Sequence, residues 1–413
     1  MLKALLVFSL LIVSILTNAQ VGYNRCEVMR TEDARYFEHW LNSKKNILAA
    51  KREANEVYKI PVVVHLLHTG EPIGEGYNFS KERVNAQIRT LNEDYRRKEN
   101  TPGFNTNPNS RDARIEFVLA QIDPDGNPTD GIVRVDMKSI HLPPSTGDII
   151  QTCSEYSYWN PDQYLNVWSM DFGFHPAIFL GRARFPVTDL PGIPQDEGAD
   201  GVLINASNFG EGETNSEPNY NLGRTLTHEI GHFLGLLHTW GESCTTYTDY
   251  CEDTPPVATA TNGCPSVSLV ACDGRPVMIE NYMDYSYDRC MNTFTLDQIA
   301  RMHTVLESSP RRKSLLTSPA LNVVTEVSNE IAQAIKVYPN PASDKVYISV
   351  YKKLLGQDVT IVAHTLLGKM LFKETFIVTE NAIEMQMAGM HEKVIVITID
   401  AAQTSSRQLI VIN

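Results

Sequence analysis

His228-Glu229-Ile230-Gly231-His232-Phe233-Leu234-Gly235-Leu236-Leu237-His238 is the stretch whose reading decides the fold. Residues four apart share one face of a helix, so the spacing predicts a helix that aims His228 and His232 at one point. Two neutral imidazole nitrogens at about 2.0–2.1 Å suit zinc. Glu229 stands one step round from His228, placed to act as general base on an attacking water. Gly235 can take a left-handed conformation and end the helix. The chain then turns, and His238 returns as a third ligand from outside the helix. Three protein ligands leave a fourth position open, which marks a catalytic zinc site rather than a structural one. H-E-x-x-H alone can arise by chance in a helix. Three histidines, a glutamate and a glycine in this register rarely do.

Working outward, Gly223-Arg224-Thr225-Leu226-Thr227 precedes the motif and Thr239-Trp240-Gly241 follows it. Further on, Asn281-Tyr282-Met283-Asp284-Tyr285 forms a second motif, which taken alone would be a surface turn. Together these stretches resemble the metzincin metallopeptidases and, within that clan, the pappalysin family. The resemblance covers roughly 58–316. It implies an α/β (α+β) catalytic domain with a zinc-binding active-site helix and a Met-turn. Met283 would be an apolar floor beneath the ligands, adaptable packing rather than a ligand itself. It also implies that the Tyr285 phenol lies near the zinc and donates to a developing oxyanion.

Asp249-Tyr250-Cys251-Glu252-Asp253-Thr254-Pro255 concentrates oxygen ligands in a turn, which suits calcium. The family's D-x-x-x-D-T-P segment makes Asp249, Asp253 and Thr254 the candidates; the other reading is an Asx-type turn with no ion. Family spacing pairs Cys264 with Cys290, and Cys272 with Cys244 or Cys251. Asp288 falls where arginine-preferring relatives carry an aspartate at the base of the pocket just past the scissile bond. A carboxylate there would grip a guanidinium bidentately and an ammonium less well. The expectation is therefore arginine, then lysine, at P1′. Asp288 otherwise reads as a solvated acidic turn residue, and Arg289 could neutralise it by folding inward.

The chain has 413 residues, room for two or three domains. A formal net charge of −13 argues against nucleic acid or an anionic membrane as main partner. Lys3, the apolar run 4–16 and Thr17-Asn18-Ala19 read as a signal peptide over 1–19. No later stretch is apolar enough for a transmembrane span. Export makes disulfides expected among the seven cysteines. Cys26 stands alone near the N-terminus, in a polar segment (20–57) that holds a loose helical pattern and ends near Lys51-Arg52. That segment reads as a propeptide. A thiolate is a good zinc ligand, so Cys26 could block the open position in a zymogen. Pappalysin-like zymogens use a cysteine this way, usually followed by glycine; here Glu27 follows. Cys26 otherwise is spare, or pairs with Cys153 or Cys251.

Before the motif the pattern is α/β. A buried strand opens at Lys59, a helix capped by Ser80 runs to about 97, and strands are expected at 115–122, 132–135 and 164–170. Gly181-Arg182-Ala183-Arg184-Phe185-Pro186 alternates like an edge strand. The resemblance makes it the upper rim of the cleft, where it would pair with extended substrate. Thr295-Leu296-Asp297-Gln298 is a capping-box pattern opening a helix. The catalytic domain is expected over 58–316, a linker over 317–334 and a small immunoglobulin-like β-sandwich over 335–413. Strands there are expected at 346–350, 359–364, 370–376, 394–399 and 408–412. Val337-Tyr338-Pro339-Asn340-Pro341-Ala342-Ser343-Asp344 resembles the opening of type IX secretion sorting domains; an adhesion or carbohydrate-binding module is the other reading. The whole predicts a secreted or cell-surface zinc endopeptidase of a Gram-negative bacterium, acting on proteins, with the secretion machinery as partner. The rival is a non-catalytic zinc-containing surface adhesin or binding protein.

Overall fold

The computed structural model describes residues 31–48, 57–138, 148–171, 179–189, 198–211, 219–241, 243–245, 249–321, 336–349, 355–356, 358–365, 369–379, 382–387, 392–401 and 404–412. The expected signal peptide, Cys26, Lys51-Arg52 and most of the linker lie outside the described residues. Two compact units result: Met1–Val118 with Ile132–Thr317, and Leu119–Gly131 with Ser318–Asn413.

In the first unit, β1 (Tyr58–His68) is buried at every position from Ile60 onward. A strand covered on both faces reads this way, as an unbroken apolar run. It pairs in parallel with β3 (Ile132–Asp136) and β4 (Leu165–Met170), and β4 pairs in parallel with β6 (Val202–Asn205). The path is β2 (Ile115–Leu119), β1, β4, β6, β5 (Gly181–Ala183). β5 runs antiparallel to β6 and forms the edge, with Gly181 opposite Ile204.

Helices cover this sheet. α1 (Thr31–Leu48) buries Phe37, Trp40 and Leu41. α2 (Lys81–Tyr95) is capped by the Ser80 hydroxyl, which accepts from Arg83 N–H, and buries Val84, Ile88 and Leu91. It stops before 97 because Arg97 takes a left-handed φ of 43°. α3 (Ile149–Ser154), which the sequence pattern did not suggest, carries buried Cys153 into a core with Leu67, Trp168 and Leu203. α4 (Arg224–Phe233) is the motif helix. α5 (Leu296–Ser308) opens on the expected capping box of Thr295 and Gln298, and α6 (Pro310–Leu315) follows. Among the described residues no helix is long and apolar enough to cross a membrane.

The second unit is antiparallel. β7 (Lys336–Tyr338), β8 (Lys345–Ser349) and β11 (Ala382–Gln386) form one sheet; β9 (Asp358–Thr365), β10 (Met370–Ile377), β12 (Val394–Ala401) and β13 (Thr404–Val411) form the other. Val337, Val346 and Ile348 of the first share one core with Ile361, Ile395 and Ile397 of the second. Residues 119–131 belong to this unit, because the Gln121 and Ile122 N–H groups both donate to the Ala320 carbonyl at 2.8 and 3.2 Å. Length and composition did not predict that exchange.

Candidate active site

All ten residues of α4 are buried. The Nε2 atoms of His228, His232 and His238 form a triangle with sides of 3.1, 3.1 and 3.2 Å. His228 Nδ1 faces the Tyr282 carbonyl at 2.7 Å and His232 Nδ1 faces the Leu236 carbonyl at 2.8 Å. A carbonyl only accepts, so each Nδ1 carries the proton and each Nε2 presents a lone pair. Burial pulls His232 down to about 4 although the Leu236 carbonyl raises it, so the ring is neutral at physiological pH. Tetrahedral bonds of about 2.05 Å place ligand nitrogens about 3.3 Å apart. The donor set, its protonation and its spacing therefore fit zinc. Among the described residues this is the one cluster of three metal-binding side chains.

The turn after α4 brings His238 back. Gly235 has φ +87°, its N–H donates to His232 O at 2.9 Å, and Leu236 N–H donates to Gly231 O at 2.9 Å. These are the paired bonds of a Schellman ending, which a Cβ would resist. Two buried arginines close this end of the helix. Arg312 Nε donates to Phe233 O at 2.8 Å and Arg301 Nε to Gly235 O at 2.7 Å. Arg312 is itself fixed by Asp200 at 2.6 and 3.0 Å. Positive charge at a helix C-terminus is favourable.

Two glycines admit side chains to the site. A Cβ on Gly181 of β5 would stand 2.6 Å from Glu229 Cγ, so the edge strand lies directly on the buried glutamate. A Cβ on Gly231 would overlap Met283 Sδ, so Met283 packs against the helix between the two ligand turns. Met283 is fully buried, and its carbonyl accepts from Thr239 N–H at 3.4 Å. Tyr285 completes an aromatic wall. Its ring lies 4.9 Å from His238 and 5.7 Å from His228, while Trp240 stacks on His238 at 4.8 Å with planes 9° apart.

Asp288 is fully buried in a short 3-10 turn, Asp288–Cys290. Its Oδ2 accepts from Leu222 N–H at 2.9 Å and Arg224 N–H at 3.3 Å, and its carbonyl accepts from Arg224 Nη1 at 2.9 Å. Arg224 also reaches Asp94 at 3.3 Å. Burial works against the Arg224 charge, but Asp94, Tyr282 and Asp288 hold its pKa above the ordinary value. Asp288 is thus no solvated turn residue: it anchors the entry of α4. Arg289 points away, to Asn219 at 3.2 Å and over the Tyr287 ring.

Of the oxygen-rich turn, Asp249 and Thr254 converge, with the Thr254 hydroxyl 2.8 and 2.9 Å from the Asp249 carboxylate. Asp249 also accepts from Cys251 N–H at 3.1 Å. Asp253 is directed elsewhere, accepting from Asp297 N–H at 3.0 Å, while Asp297 accepts from Glu252 N–H at 2.9 Å. Disulfides join Cys244 to Cys272 and Cys264 to Cys290, with Cα atoms 5.6 and 6.0 Å apart. Cys153 and Cys251 are buried thiols.

The sequence reading did not single out Asp94, Arg312 or Trp240. Trp240 sat inside a quoted flank, and its contact with His238 follows only once the turn is known. A charged residue on an apolar helical face, as Arg301 is beside Met302 and Val305, is the signal that could have marked the arginines.

Residues 150–307 match the family model described as pregnancy-associated plasma protein-A, and 336–413 match a secretion system C-terminal sorting domain. An extracellular metalloprotease of Arthroderma otae is 49% identical over 106 residues, 25% of this chain and 37% of that protein. Extracellular metalloprotease 1 of Coccidioides posadasii is 42% identical over 127 residues, 30% of this chain and 44% of that protein. The matched stretch thus spans under half the length of these two relatives. Mature mirolysin of Tannerella forsythia in complex with a cleaved peptide is 36% identical, covering 63% of this chain and 96% of that one with a TM-score of 0.55. A promirolysin point mutant is 32% identical, covering 70% and 97% with a TM-score of 0.56. The chain belongs to the pappalysin family of metzincin metalloproteases and carries a type IX secretion sorting domain.

Proposed function

We propose that the chain is a secreted zinc-dependent endopeptidase, made as a zymogen. The observation that carries this is the Nε2 triangle beside a buried Glu229 that the edge strand approaches at Gly181. Zinc, when bound by His228, His232 and His238, supplies a Lewis acid that polarises a peptide carbonyl and makes water more acidic. Glu229 takes the proton of the attacking water and returns it to the leaving amine. Tyr285 donates its phenolic proton toward the oxyanion. Met283, in the Met-turn, gives the histidines a floor that adapts to small shifts. The outer edge of β5 pairs with an extended substrate and lays the scissile bond across the site.

Four finer readings stand beside this. Arginine at P1′, with lysine second, is supported by the family position of Asp288; the geometry around it supports a further task, holding the start of α4. Calcium is supported by the convergence of Asp249 and Thr254, and a ligand role for Asp253 requires it to leave Asp297. Cys26 as the blocking thiolate is supported by its isolation in a polar segment expected to be removed. The C-terminal unit, read as an immunoglobulin-like sandwich, would hand the chain to type IX machinery after passage through a Gram-negative periplasm.

The test is mass-spectrometric mapping of cuts in a peptide library, with and without chelator, using chain freed of residues 20–57. Expected are cuts before arginine, fewer before lysine, all lost with chelator and restored by zinc. Zinc-loaded chain that cuts nothing would favour the adhesin or binding-protein reading. Cuts before apolar residues would keep the peptidase and discard the Asp288 pocket.

A further inference from the structure

Beyond the triangle, Arg301 on α5 gathers contacts that the mechanism does not use. Its side chain is 2% exposed. The Nε–H holds the Gly235 carbonyl at 2.7 Å, and Nη1 pairs with Glu38 of α1. The guanidinium lies between two rings, 5.5 Å from the Phe37 centroid and 5.7 Å from that of Tyr250. Phe37 itself rests on Gly235, where an added Cβ would come within 3.0 Å of its Cζ. Gly235 is the residue at which the chain turns to return His238. A guanidinium is a rigid planar fork, so fixing Nη1 on a carboxylate also fixes the direction of Nε–H.

We propose that Arg301 is a positioning residue for the third zinc ligand, and that α1 governs it through Glu38 and Phe37. The proposal rests on the reading that the three histidines hold zinc. Its consequence is a coupling: a helix inside the segment read as propeptide also tightens the metal centre. With α1 seated, the Gly235 turn is clamped from two sides. With the Glu38 carboxylate removed, the guanidinium can rotate off the carbonyl, and His238 gains freedom to leave the ion.

The experiment uses the full chain with Glu229→Ala throughout, so that the chain does not cut itself and α1 stays attached. Zinc-loaded protein is mixed with a chromophoric chelator and the transfer rate is followed. Arg301→Lys is expected to lose zinc about 10–100-fold faster, the range for groups that support a ligand. Glu38→Gln, almost the same shape, is expected to speed loss by a smaller factor and to add nothing in the Arg301→Lys background, because it acts through Arg301. Lys44→Ala breaks the contact of α1 with Asp189 at 2.7 Å on the open side and is expected to leave the rate alone. Amide exchange at Leu236 should rise with the zinc-loss rate. Parental rates in Arg301→Lys or in Glu38→Gln would overturn the proposal, as would full additivity of the two. If Arg301→Lys does not fold, Glu38→Gln alone and combined with Phe37→Leu carries the test. A parent that takes up no zinc would sink the peptidase reading, and Leu236 exchange would then decide this proposal by itself.

Discussion

His228, His232 and His238 turn their Nε2 atoms toward one another, while Asp249, Asp253 and Thr254 turn their oxygens toward their own loop and the start of α5. Both sets lie in one unit, and both were picked from sequence as ligands. The first set sits on a helix and its terminating turn, where period and Gly235 dictate direction. The second sits in a loop, where short polar side chains have nearby N–H groups to satisfy. The contrast teaches that spacing on a helix fixes the direction of every ligand, whereas in a turn each oxygen takes the bond nearest to it, so that Asp249 and Thr254 converge and Asp253 does not.

The sharpest way to break the comparison is at the helix. Glu229→Ala should retain zinc and lose hydrolysis by about 10²–10⁴-fold, the range for a general base. Metal analysis beside a casein assay checks it; near-normal turnover would mean the convergent set is not the machinery. Tyr285→Phe should cost about 10²–10³-fold in kcat for one lost oxyanion donor, with KM little changed. An unchanged kcat would confine Tyr285 to packing.

The loop is tested through pH. Burial raises Asp249 from 3.8 to about 6, against the bonds from Thr254 and Cys251 that lower it. Between those values the fold keeps a proton the unfolded chain has lost. Stability therefore falls as pH climbs from about 4 to 6 and then levels, by up to about 3 kcal/mol. Asp249→Asn should remove that fall, seen as the difference between parent and variant in urea melts. A bound calcium would keep the carboxylate ionised, so flattening of the parent's slope by millimolar calcium would turn the turn into a metal site. No effect of calcium would leave it a hydrogen-bonded turn. Smallest of all, Asp253→Ala should lower the melting temperature through the lost contact with Asp297 at the head of α5, about 1 kcal/mol as for other helix-start caps, with kcat intact.

How much was legible follows the same division. α4, Gly235 and the capping box of α5 could be read because each is a local pattern with a local cause. The strands of the second unit could be placed within a few residues, but β7 and β11 were missed: Lys336–Tyr338 is three residues long, Ala-Ile-Glu-Met-Gln has weak alternation, and pairing with β8 makes each a strand. α1 was seen as a loose helix and assigned to a removable segment. Its packing of Phe37 against Phe185 and its carboxylate on Arg301 depend on residues 148 and 263 positions away, which no window along the chain brings together. Asp288 was read as a pocket residue; its bonds to Leu222 and Arg224 need the same long-range knowledge.

The buried thiols give the molecule a built-in clock. Burial pushes Cys153 up to about 12 and Cys251 well above its usual range, so both sulfurs stay protonated and shielded from reagents in the closed fold. One lies in the sheet core and the other in the loop beyond the histidines. An alkylating reagent can reach each only when its surroundings open. The two labelling rates, read separately by peptide mass, would therefore time the breathing of the scaffold and of the metal-side loop in a single tube.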